Sequence, residues 1–264
     1  MPTLRLLIEY DGTRYAGWQR QSAAPTIQAV VEDAAGSLFQ SPCRVVGAGR
    51  TDAGVHALGQ VAHTMATTRL EPDRIRDALN ALLPGDIVVR GVAVAAAGFH
   101  ARRDARLRIY RYVVLMRPRP SALLRAYTHH VAAPLDLSAM RSGAAHLEGR
   151  HNFAAFRVTG TAVTSTVCAV QALRVERRDD LVVFTVAADR FLRQMVRRVV
   201  GTLLRVGSGR LAPDAVGAIL KSGDAQQAGP SAPAHGLYLV RVLYDGEVPE
   251  PPSAGGCYNR RAGP

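Results

Sequence analysis

One run of this 264-residue chain combines reactive side chains with unusual backbone freedom: Gly47-Ala48-Gly49-Arg50-Thr51-Asp52-Ala53-Gly54-Val55-His56. Glycine lets a backbone take positive φ and come close to a ligand. A loop of this kind can hold one carboxylate, Asp52, in a fixed and exposed pose, with Arg50 the nearest cation in sequence. An arginine beside a carboxylate favours its charged form. Three uses compete for the run. A glycine-rich turn closed by an aspartate side chain is the commonest. A phosphate cradle fails on spacing: Asp52 stands where the third glycine of G-x-G-x-x-G belongs, and no Gly-Lys-Ser/Thr ends the loop. A catalytic aspartate is the third.

Two further stretches carry groups that could serve such an aspartate. Between Leu107 and Met116, strand alternation puts Arg108, Tyr110, Tyr112 and Val114 on one side. From pattern alone, Tyr110 is as readily a core tyrosine as a site residue. Across 190–206, Leu192, Val196, Val199 and Leu203 recur at helical spacing. Arg197 shares a row with Val200 and Leu204, and an arginine drawn toward an apolar face calls for a carboxylate. On pattern alone it reads as an arginine snorkelling from a core edge.

The string Gly49 to His56, followed by Gln60-Val61, resembles the active-site motif of the tRNA pseudouridine synthase A family. Tyr10-Asp11-Gly12 with Gly17-Trp18-Gln19-Arg20-Gln21 is similar to the family's opening motif. Phe99-His100-Ala101-Arg102 with Tyr110-Arg111-Tyr112 looks like the second, and His151-Asn152-Phe153-Ala154-Ala155-Phe156-Arg157 like a further one. Phe191-Leu192-Arg193-Gln194-Met195-Val196-Arg197 matches Phe-Leu-x-x-Met-Val-Arg, and Gly236-Leu237-Tyr238-Leu239 matches Gly-Leu-Tyr-Leu. The motifs follow in the family's order, from about Leu4 to Tyr244. The resemblance implies isomerisation of uridine to pseudouridine at positions 38, 39 and 40 of the tRNA anticodon stem-loop. It implies Asp52 as nucleophile, Arg197 as its ion-pair partner and Tyr110 packing on the target base, with proton transfer a second role. Leu237 would line the uracil pocket, and Arg50 would fill the space that the flipped base vacates. It further implies a homodimer in which one tRNA touches both subunits. Substrate and product are isomers, so no cofactor is expected. Arg193 and Gln194 stand where the family often has aromatic residues or His, so no RNA contact is carried over to them. Trp18, the only tryptophan, reads as a core plug.

Composition agrees with a polyanionic partner. The formal charge is +12 and the isoelectric point about 10.5. Lys221 is the only lysine. Arginine grips phosphate with a planar fork and stacks on bases. A genome rich in Ala and Arg codons explains arginine over lysine, but not the net charge. Cys43, Cys168 and Cys257 are far apart and form no metal-binding spacing. No signal peptide or long apolar span is evident, so a soluble, cytoplasmic protein without metal or membrane contact is expected.

The positioning elements alternate. A strand over 4–10 precedes a helix over 27–39, capped by Thr26. A strand follows the Asp52 loop from about 60 to 67. A helix opens at Pro72 with Ile75, Leu79 and Leu82 as its face, and strands follow over 86–95 and 107–116. Prolines at 118, 120 and 134 mark 117–134 as a linker. The second part reads as a helix over 137–147, a hairpin over 163–177 and 181–187, the Arg197 helix over 190–206 and a short helix over 214–221. A flexible loop over 224–233 and a last strand from 235 complete it. The expected organisation is an N-terminal half, 1–116, a linker, a C-terminal half, 135–245, and a disordered tail, 246–264. Periodicity gives an α+β fold. The resemblance implies two similar halves, with mainly antiparallel sheets joined around a central cleft.

Two rivals remain at this point. A non-catalytic RNA-binding protein would share the charge and aromatics. It lacks an RNP-like aromatic consensus, and an idle Asp52 would repel RNA. A metal-dependent nuclease lacks a second acidic ligand near Asp52.

Overall fold

The computed structural model describes residues 1–158, 160 and 164–247. The order of elements is β1 (Thr3–Tyr10), α1 (Ile27–Phe39), β2 (Val46–Gly47), β3 (His56–Met65), α2 (Pro72–Leu82), β4 (Ile87–Val94), β5 (Leu107–Met116) and β6 (His129–Val131). Then come α3 (Leu137–Ala145), β7 (Gly149–Asn152), β8 (Val167–Arg178), β9 (Leu181–Ala188), α4 (Met195–Gly207), α5 (Pro213–Ser222) and β10 (Leu237–Leu243). The expected tail and Cys257 lie outside the described residues from 248 onward, as does the expected hairpin start at Val163.

The strands form a single sheet in the order β4-β1-β3-β10-β5-β9-β8-β7, with β2 on β3 and β6 on β5. All pairings are antiparallel except β10 with β3 and β6 with β5. The fold is therefore α+β with a mainly antiparallel sheet. Burial alternates along β1 and β8, so each buries one face. Leu4, Leu6 and Ile8 share a core with Ile27, Val31, Ile75 and Leu79 of α1 and α2, and that core continues to Val199 and Leu203 of α4. Trp18 is a buried plug, and the Thr26 hydroxyl caps α1 by accepting from Ala29 N. Among the described residues no helix is long and apolar enough to cross a membrane.

The chain's last strand holds the middle of the sheet. β10 pairs with β3 through Tyr238–His56 and Leu239–Ala57, and with β5 through Leu237–Tyr112 and Leu239–Tyr110. It thereby joins the strand that leaves the Asp52 loop to the strand that carries Tyr110.

Several boundaries differ from expectation, each for a packing reason. β3 begins at His56, not near 60. Gly59 is not a loop residue: a Cβ there would lie 2.5 Å from the Val240 carbonyl oxygen, so glycine admits β10. Leu82 is exposed, leaving Ile75 and Leu79 as the buried face of α2. The segment 117–134 contains β6. The expected flexible loop over 224–233 packs on α4: Gly229 N donates to the buried Thr202 hydroxyl at 2.8 Å. A Cβ on Gly201 would lie 1.9 Å from the Pro230 carbonyl oxygen.

That contact has a measurable consequence. Gly201→Ala should push the 224–233 segment off the helix and destabilise the protein by about 1–3 kcal/mol in urea unfolding, as overpacking does. Wild-type stability of this variant would show that the segment is not packed as described.

Candidate active site

Asp52 sits on the loop between β2 and β3, and neutral hydrogen bonds hold that loop from behind. The Gln60 amide donates to Gly49 O at 2.7 Å and accepts from Gly49 N at 3.4 Å. The Tyr10 hydroxyl meets the Thr51 hydroxyl at 2.8 Å in a buried contact. Thr51 O accepts from Trp18 N at 3.1 Å, and Gly54 N donates to Tyr15 O at 3.3 Å. Gly54 takes the positive φ, 74°, that the turn requires. Asp52 emerges from this rigid base, its side chain 30% exposed.

Arg197 lies in the first turn of α4. Its Nη1 donates to Asp52 Oδ2 at 3.2 Å, and its Nε donates to Ala232 O at 2.7 Å. Ala232 N returns a bond to Arg197 O at 3.0 Å. The guanidinium fork thus holds the carboxylate on one side and the segment leading into β10 on the other. The pairing expected between Asp52 and Arg197 is present. The expected support from Arg50 is not: Arg50 is exposed, and among the described residues it makes no ion pair with Asp52. Its neighbour Thr51 points inward to Tyr10, which leaves Arg50 facing outward.

A cleft of about 990 Å³ opens over the pair, and Arg50, Asp52, Tyr110, Arg197 and Leu237 all line it. Tyr110 and Leu237 are 7% and 5% exposed, so they form its apolar floor. The Tyr110 ring meets Phe191 edge to face at 5.0 Å. Burial pushes the Tyr110 phenol well above its ordinary value; Arg108 opposes the shift and the Asp52 charge adds to it. At neutral pH this hydroxyl is therefore protonated.

The Arg197 helix starts later than its apolar spacing implies, at Met195 rather than 190. The Asp189 carboxylate accepts from Arg190 N and Ala169 N at 2.7 and 2.8 Å, which fixes a turn after β9. Gln194 is left-handed at φ 57°, which stops the helix from extending backward. Leu192 is buried without being helical, so its apolar spacing is misleading. Residues 190–194 form a wall of the cleft instead.

Sequence reasoning missed three supporting groups. Phe191 lies in a recognised string, but its place against Tyr110 comes from a partner far away in the chain and left no local signal. Gln60, a buried amide next to glycines, is the second. The third is a cluster behind the loop. His56 Nδ1 lies 3.1 Å from Asp11 Oδ1, and His56 Nε2 faces Ala126 O and His235 O at 3.1 and 3.2 Å. The Tyr127 hydroxyl donates to Asp11 Oδ2 at 2.8 Å. Burial works against the Asp11 charge, but bonds from Thr13 and Tyr127 and the adjacent His56 draw its carboxyl below its ordinary value.

Comparison with known proteins agrees with this geometry. The family described as tRNA pseudouridine synthase matches residues 6–102 and 144–245. A tRNA pseudouridine synthase A from Acetivibrio thermocellus is 43% identical over 244 residues, covering 92% of this chain and 100% of the relative. Proteins of the same name from Syntrophotalea carbinolica and Chloroflexus aurantiacus are 45% and 47% identical, again over 92% of this chain and over 97% and 89% of their own. With a carboxylate–guanidinium pair at the floor of an open cleft, and matches on both sides of the segment 103–143, the chain belongs to the tRNA pseudouridine synthase family.

Proposed function

We propose that this protein isomerises uridine to pseudouridine at positions 38, 39 and 40 of the tRNA anticodon stem-loop, with Asp52 as the nucleophile. The observation that carries the proposal is the Asp52–Arg197 contact at 3.2 Å inside a cleft walled by Tyr110 and Leu237. In this reaction the N1–C1′ bond breaks, the uracil turns, and C5 joins C1′. The C5 proton leaves and N1 takes one up, so the atoms balance with no redox step. Asp52 is the group placed to assist cleavage, and Arg197 aims it.

The target base must leave its stack, at a cost of a few kcal/mol. Packing on Tyr110 and Leu237 offsets that cost, and Arg50, facing outward at the rim, is placed to fill the vacated space. Arg102, Arg103, Arg190 and Arg193 line the same cleft, and among the described residues none of them makes an ion pair. Such arginines are free to meet phosphates. In this reading 1–116 and 135–245 are the two halves, joined by 117–134: the first supplies Asp52 and the second Arg197 and Leu237. The substrate places the enzyme in the cytoplasm.

Release of tritium from C5-labelled uridine in tRNA tests the proposal. Wild-type protein should release it, and Asp52→Asn should not, while still binding tRNA. Turnover by Asp52→Asn near the wild-type rate would remove Asp52 from the mechanism; no release by the wild type would leave only a binder. In the same assay Tyr110→Phe should stay within about tenfold of wild type and Tyr110→Leu fall about a hundredfold, as a packing role requires. Equal slowing of both would give the hydroxyl a proton-transfer role.

The family resemblance supports a homodimer with one tRNA spanning both subunits, which is part of the proposal. Light scattering should give about twice 28.3 kDa. A monomer at working concentrations that is fully active would contradict it.

A further inference from the structure

Arg108 stands on β5 two residues before Tyr110 and lines the arginine-rich cleft. Its position suggests one more phosphate contact, but its hydrogen bonds indicate otherwise. Nη1 donates to Ala105 O at 3.0 Å and to Asp189 O at 2.6 Å. Nη2 donates to Ala48 O at 3.1 Å and to Arg102 O at 2.8 Å. A guanidinium has five N–H donors, and these four bonds use both terminal nitrogens. No fork remains to grip a phosphate.

The four carbonyls belong to three separate segments. Ala48 opens the Asp52 loop. Arg102 and Ala105 belong to the basic loop that leads into β5. Asp189 follows β9 and leads into the wall over 190–194. Each segment forms part of the cleft, and Arg108 touches all three from the strand that carries Tyr110. Among the described residues it makes no ion pair, so its partly buried charge rests on the carbonyl dipoles, with weaker support from nearby groups such as the Asp189 carboxylate. Burial accordingly pulls the Arg108 guanidinium below its ordinary value.

We infer that Arg108 is a positioning residue: it clamps the Asp52 loop, the 99–106 loop and the end of β9 around Tyr110, and does not itself contact RNA. The kinetic part of this inference rests on the proposed function. A shift of about 1 Å in a reacting group can cost about a hundredfold in rate.

The test compares Arg108→Lys and Arg108→Gln with the wild type. Lysine keeps the charge but cannot reach four carbonyls in a plane. Arg108→Lys should fold, lose about tenfold to a hundredfold in kcat, and keep the wild-type KM. Its tRNA affinity should keep the wild-type dependence on salt. Arg102→Gln and Arg103→Gln supply the contrast, because losing a phosphate contact should flatten the log–log salt slope by about one. Amide hydrogen exchange in Arg108→Lys should rise over 47–56 and 99–106 but not over α1. That reading needs no substrate, so it judges the clamp even if the wild type releases no tritium and the proposed function fails. A flatter salt slope with kcat retained would make Arg108 a phosphate ligand and overturn the inference. Wild-type exchange in both loops would overturn it equally. If Arg108→Gln does not fold, Arg108→Lys alone decides.

Discussion

The contact between Asp52 and Arg197 joins residues 145 positions apart, and much of the architecture serves to make it possible. It needs β10 between β3 and β5, because that insertion sets the Asp52 loop beside the Tyr110 strand. It needs α4 to begin at Met195, which leaves Arg197 in the first turn facing the cleft. A helix starting at residue 190 would set Arg197 about 7.5 Å further from the helix start, at about 1.5 Å per residue. It also needs the 224–233 segment to lie on α4, since the same guanidinium holds Ala232.

The pair is not what stabilises the fold. Exposed or half-exposed ion pairs contribute about 0–1 kcal/mol, and the Asp52 side chain is 30% exposed. The apolar core that runs beneath the sheet from α1 to α4 carries the stability. What the pair supplies is aim. Neutral bonds through Gln60, Tyr10 and Trp18 fix the loop backbone, so the one charged contact need only orient the carboxylate. Arginine suits this place because its planar fork meets two acceptors at once.

Local signals carried a good deal of this. Thr26 marked the start of α1, and the Leu107–Met116 alternation gave β5 to the residue. Asp52, Arg197, Tyr110, Leu237 and Arg50 were all nameable from short motifs, and the structure gathers them in one cleft. What was illegible depended on distant partners. Gly59 looked like a loop residue because the strand that fills its space lies 180 residues later. Leu192 continued a helical period through a non-helical turn because the core wanted an apolar group there either way. The 224–233 segment looked flexible by composition, yet its backbone packs directly on that of α4: a Cβ on Gly201 would meet the Pro230 carbonyl, and one on Gly229 the Gly201 backbone. Arg50 stands two positions from Asp52 and lines the same cleft, but its side chain is exposed and, among the described residues, makes no ion pair with it. Arg108 was one basic residue among several until its four acceptors were seen.

The most direct measurement is the single-turnover rate of Arg197→Lys at saturating tRNA, taken with its tRNA affinity. A lysine keeps the positive charge but cannot hold Ala232 O and Asp52 together. The rate should fall about a hundredfold, with affinity within about twofold of wild type and the fold intact. A wild-type rate, or an unchanged rate with weakened tRNA binding, would contradict the account, because Arg197 would then act on RNA and not through Asp52.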